Sequence, residues 1–73
     1  MIQTNTPIDE ALNLLTMDIY NSLCHGEQKE LNKHYSIYKY YDMEYYTIKE
    51  NDTNQEVIVV QTNGKNNFAF TEI

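Results

Sequence analysis

The feature that most constrains this chain is a change of hydrophobic period near its middle. Apolar side chains recur at Ile8, Ala11, Leu12, Leu15, Ile19 and Leu23, the three- and four-residue spacing that lines one face of a helix. From Tyr35 onward, aromatic and β-branched residues dominate short runs separated by turn residues, which is strand character. A helical stripe of this kind buries its apolar side best against the sheet that follows. The expected class is therefore α+β: an N-terminal helix packed on a three- or four-stranded antiparallel β-meander.

Local signals set the expected boundaries. Thr6 suits a helix N-cap, and Pro7 suits the first helical position, where its missing N–H would be unpaired anyway. Asp9 and Glu10 put negative charge where the helix dipole favours it. The pattern predicts one helix from about Pro7 to His25, ended by Gly26 in the left-handed conformation. Glu27 to Lys33 holds good helix formers with a single apolar residue, Leu31, and is expected to form one or two helical turns or an ordered connection. Tyr35–Glu50 is long for one strand and carries Asp42 in its middle, so a bend, bulge or break is expected near Tyr41–Glu44. Asn51-Asp52-Thr53-Asn54 is a turn cluster, Val57–Thr62 a strand, Asn63-Gly64 a two-residue hairpin turn and Phe68–Ile73 the last strand.

These turns fix an expected register. A turn at Asn63-Gly64 sets Thr62 opposite Lys65, Val59 opposite Phe68 and Val57 opposite Phe70. A loop closed by Glu50 and Gln55 sets Ile48 opposite Val57 and Tyr46 opposite Val59. Alternation then puts Tyr46, Ile48, Val57, Val59, Phe68 and Phe70 under the helix. The opposite face receives Met43, Tyr45, Thr47, Ile58, Val60 and Ala69. Met43, Tyr45, Ile58 and Val60 would form an apolar patch there, which predicts a homodimer or a partner contact.

Seventy-three residues hold one domain, 1–73, with one core and little room for a deep cleft. Eleven acidic side chains stand against five lysines and no arginine, a net charge of −6. That balance repels nucleic acid and anionic membranes, removes the bidentate group that usually grips phosphate, and favours a partner with a basic surface. The single cysteine, Cys24, allows no internal disulfide. The first residues lack the basic start and apolar run of a signal peptide, and no stretch reaches the ~20 apolar residues that span a bilayer. A cytoplasmic protein is expected, in the host cytoplasm if phage-encoded. The many Asn, Ile, Lys and Tyr residues fit an AT-rich coding sequence, as in low-GC bacteria and their phages.

No residue set recommends catalysis. Cys24 and His25 are adjacent, and neighbouring helix positions point about 100° apart, whereas a nucleophile and its base must converge. With His34 they supply three zinc ligands at best, where a structural site takes four. Glu50, Asp52, Asn54 and Glu56 alternate as calcium ligands might, without the glycine and register of an EF-hand. The expectation is a non-enzyme with no cofactor and no metal.

Six of the seven tyrosines lie between Tyr35 and Tyr46. Tyrosine is a rigid amphipathic anchor enriched at interfaces. Tyr38, Tyr40, Tyr41 and Tyr45, with Asp42, Glu44, Glu50 and Asp52, make the expected partner-binding surface. The run Val57-Ile58-Val59-Val60-Gln61-Thr62-Asn63-Gly64-Lys65-Asn66-Asn67 resembles the closing strand–Asn-Gly–strand of the phage uracil-DNA glycosylase inhibitor family. The wider layout, small and acidic with a helix first and antiparallel strands after, is similar to that family and to phage anti-CRISPR proteins. The resemblance implies an inhibitor of a host nucleic-acid-processing enzyme, a DNA mimic that binds protein and no nucleic acid, and it carries over no functional residue. The competing expectation is a self-associating structural or regulatory subunit.

Overall fold

The computed structural model describes residues 6–63 and 67–73. The helical stripe forms two short helices, α1 over Pro7–Leu14 and α2 over Met17–Ser22. Thr6 caps α1 as its sequence suggests, its hydroxyl accepting from the Asp9 N–H at 3.2 Å. The single helix expected over Pro7–His25 is broken at Leu15 and Thr16, whose backbones are extended. Thr16 is the physical reason. Its β-branched side chain is a poor interior residue but a good cap, and its hydroxyl accepts from the Ile19 N–H at 3.2 Å. The stripe survives the break: Ala11, Leu15 and Leu23 are buried, and Ile8, Leu12 and Ile19 pack on the core. Gly26 does adopt a left-handed backbone, with φ at +83°, but α2 has already ended at Ser22. The glycine instead sits in the turn that leads into the first strand.

Among the described residues, five antiparallel strands follow in a meander of order β1-β2-β3-β4-β5: Gln28–Glu30, Tyr35–Lys39, Tyr46–Glu50, Glu56–Thr62 and Phe68–Glu72. The fold is α+β with a strand meander. The helical turn expected within Glu27–Lys33 is a strand, β1, which raises the strand count to five. Three residues of helix propensity weigh little against pairing with the exposed edge of β2. The Asn32 carboxamide closes the β1–β2 turn, accepting from the His34 and Tyr35 N–H groups at 2.9 Å each. Asn51 then ties this turn to the β3–β4 turn, donating to the Asn32 and Lys33 carbonyls at 3.1 and 2.9 Å. The expected break near Tyr41–Glu44 is present, closed by a bond from the Tyr40 N–H to the Tyr45 carbonyl at 2.8 Å.

Register departs from expectation twice. Glu50 and Gln55 do close the β3–β4 turn, and Lys49 faces Glu56 as that closure requires. A bulge then inserts Val57, so Ile48 faces Ile58 and Tyr46 faces Val60. At the next hairpin Thr62 faces Phe68, Val60 faces Phe70 and Ile58 faces Glu72. That pairing excludes the two-residue turn opposing Thr62 and Lys65; positions 64–66 themselves lie outside the described residues. Each slip is odd in number and inverts side-chain facing. Ile58 and Val60 therefore move into the core, Val59 moves out, and Phe68 and Phe70 return to the helix side. The core is Leu15, Leu23, Ile37, Tyr46, Ile48, Ile58 and Val60. Tyr46 stacks on Tyr20 of α2 with ring centroids 3.9 Å apart. Among the described residues, no helix is long and apolar enough to cross a membrane.

Candidate functional site

Because both helices cover one face of the sheet, the other face carries the alternate residues: Ser36 and Tyr38 of β2, Thr47 and Lys49 of β3, and Val59 of β4. The apolar patch expected there does not form, since Ile58 and Val60 lie in the core at 7% and 2% exposure and Met43 belongs to a loop. The bulge at Val57 is the cause.

The tyrosines do converge on this face. The Tyr38 and Tyr40 rings meet at 5.4 Å, and Tyr40 meets Tyr45 edge-on at 4.8 Å. Lys49 holds its ammonium 4.0 Å above the Tyr38 ring. Tyr40 follows β2 and Glu56 opens β4, yet the Tyr40 hydroxyl donates to Glu56 Oε2 at 2.5 Å, so the side chain crosses β3. The β3 residue on that face between Tyr45 and Lys49 is Thr47, and it has no exposed surface. The bond to the Glu56 carboxylate pushes the Tyr40 pKa up to about 12, with burial and the nearby charge adding to it. Tyr40 is thus a fixed strut whose proton is already committed. The expected partner surface omitted Glu56, Lys49 and Thr47, although the Glu50–Gln55 closure already sets Glu56 opposite Lys49; the missing information was the β2–β3 register, which sets Thr47 opposite Tyr38.

At one end of this face lies the β2–β3 loop, residues 41–44, and all four side chains are exposed. Tyr41 is 78% exposed and Met43 50%. Gly26 lies against this loop: a Cβ there would meet the Tyr41 ring at 3.5 Å. Glu44 turns back toward the body, with Oε2 at 3.3 Å from His25 Nε2 and 3.7 Å from Lys39 Nζ. His25 Nδ1 lies 3.1 Å from the Tyr40 carbonyl oxygen, so the imidazole braces the loop. Asp42 forms no ion pair among the described residues. An open groove of about 410 Å³, lined by Tyr20, Glu44, Tyr45, Val60, Gln61 and Thr62, adjoins the loop. Burial, then Tyr46 and Glu44 beside it, raise the pKa of Tyr20 at its wall.

The expected surface therefore divides. Tyr38, Tyr40 and Tyr45 form the ring cluster, and Tyr41, Asp42 and Glu44 form the adjoining loop. Glu50 and Asp52 lie at the other end of β3, six to eight residues and roughly 20 Å or more away along the strand direction. Glu50 accepts from the Thr53 hydroxyl at 2.7 Å and helps shape its own turn. No group of three or more metal-ligating side chains occurs among the described residues. Compared with protein-family models, with curated proteins and with solved structures, the chain finds no match.

Proposed function

We propose that this chain is a non-catalytic binding protein that docks the β2–β3 loop and the neighbouring tyrosine face into a basic site of a nucleic-acid-processing enzyme, and inhibits it. The supporting observation is the loop itself. Tyr41 and Met43 present 78% and 50% of their surface to solvent, interleaved with Asp42 and Glu44. Exposed aromatic and thioether anchors within an acidic frame suit a partner surface that is basic at its rim and apolar at its centre. The net charge of −6 steers the whole molecule toward such a surface. The braces from His25 and Lys39 hold the loop in one shape before contact, which lowers the ordering cost of binding.

The test begins with capture of the partner from a low-GC bacterial lysate and identification of a nuclease, glycosylase or polymerase. Affinity for that purified enzyme is then measured against salt, with DNA as a competitor. The expected result is binding that weakens steeply between low and physiological salt and is mutually exclusive with DNA. Asp42→Lys should slow association, and Tyr41→Ala should speed dissociation. Asp52→Lys, at the far end of β3, should change association less than Asp42→Lys does. Binding that is indifferent to salt and to Asp42→Lys, or that leaves DNA in place, would overturn the reading.

A further inference from the structure

The two edges of the sheet differ in a way that selects one of them for pairing. β1 is three residues long, and Gln28, Lys29 and Glu30 are all exposed. A short charged edge strand bearing a lysine is a poor template for another strand. β5 is five residues long and carries one charge, Glu72, with no lysine, proline or bulge. Phe70 on this strand is 38% exposed.

The hydrogen-bond phase of β5 can be read from its two ends. The Ile73 N–H donates to the Val57 carbonyl at 3.1 Å, and the Asn63 N–H donates to the Asn67 carbonyl at 3.4 Å. Bonding alternates along an antiparallel pair, so Ala69 and Thr71 also turn their backbone groups toward β4. Phe68, Phe70 and Glu72 turn theirs outward. We propose that two copies of this chain pair through these outward groups, antiparallel about a two-fold axis at Phe70, and join their sheets into one of ten strands.

This register is the one the strand's chemistry favours. It uses all three outward residues at once: Phe70 bonds the partner's Phe70, and Phe68 bonds the partner's Glu72. Each Glu72 lies opposite a phenylalanine rather than its own copy, so no like charges are apposed in the strand pair. The Phe68 and Phe70 rings, already stacked at 6.0 Å, continue across the axis on the helix side. Since β1 offers no second pairing edge, the assembly closes as a dimer and does not extend into a fibre. The pairing uses neither the β2–β3 loop nor the tyrosine face.

Each copy carries −6, so the copies repel and salt strengthens the dimer, opposite in sign to binding of a basic partner. Sedimentation equilibrium should show the weight-average mass climbing from 8.7 kDa toward twice that value, over about 10 to 500 µM protein. The dimer should be tighter at about 300 mM than at about 20 mM NaCl. Amide exchange of Phe70 and Glu72 should slow by about tenfold over the same concentration range, while that of Ala69 and Thr71 stays put. Phe70→Lys, which apposes two lysines at the axis, should weaken the dimer by at least about tenfold although it lowers the net charge. Exchange at Phe70 and Glu72 needs no variant, so it reads the edge even if Phe70→Lys unfolds. A monomer throughout, a dimer with both amides still fast, or both amides protected at every concentration by the chain's own residues would each overturn the proposal.

Discussion

Tyr40 and Glu56 are joined across β3, hydroxyl to carboxylate at 2.5 Å, although one residue follows β2 and the other opens β4. The bond spans the sheet face that the helices leave uncovered, where Thr47, between Tyr38 and Val59, has no exposed surface.

This bond makes stability depend on alkaline pH. The neutral Tyr40 hydroxyl is favoured in the folded state, with its pKa pushed up to about 12 from an ordinary 10.0. A folded-state pKa above the unfolded one gives stability that is fully present below the unfolded value and is lost as pH rises through the folded value. Denaturation midpoints should therefore hold to about pH 10 and fall between about 10 and 12. Cζ-labelled tyrosine NMR should show the Tyr40 ring titrating at about 12, and Glu56→Gln should bring it down toward the ordinary 10.0. A Tyr40 resonance that titrates near the ordinary 10.0 in the native protein would contradict the bond.

Val59 and Val60 are adjacent and chemically identical, so they read the bulge directly. Val60 is 2% exposed in the core, while Val59 is half-buried on the opposite face. Val60→Ala should cost roughly 2–3 kcal/mol and Val59→Ala under about 1 kcal/mol. Urea denaturation of the two variants measures the difference. The reverse order would restore the unbulged pairing of Tyr46 with Val59.

Thr47 is fully buried, and its hydroxyl finds no partner among the described residues. Burying an unpaired hydroxyl is unfavourable, and valine has nearly the same shape without it. Thr47→Val should raise stability by about 1 kcal/mol, seen as a higher urea midpoint at unchanged slope. A loss of stability would show that the hydroxyl has a partner in solution.

Much of the architecture is legible in the residues. The cap at Thr6, the apolar stripe, a strand beginning at Tyr35, the break near Tyr41–Glu44 and the Asn51–Asn54 turn all follow from local signals, and the structure has each of them. Tyr46 packing under the helices was equally readable, and its ring stacks on Tyr20. The tyrosine-rich segment also marks the ring cluster, since Tyr38, Tyr40 and Tyr45 meet in the observed β2–β3 register.

What the residues in order determine is where apolar surface exists and where the backbone can turn, since capping, turn chemistry and side-chain period act over a few neighbours. The tertiary structure decides which way each strand faces. One extra residue at Val57 inverts β4, taking Ile58 and Val60 into the core and turning Val59 outward. The same long-range competition makes Gln28–Glu30 a strand, because the open edge of β2 offers its backbone more hydrogen bonds than an isolated helical turn would. It also gathers Glu56, Lys49 and Thr47 among the tyrosines and leaves Glu50 and Asp52 at the far end of β3. Facing in a sheet is a parity set by pairing partners distant in sequence, and no local preference of a valine or an isoleucine carries that parity.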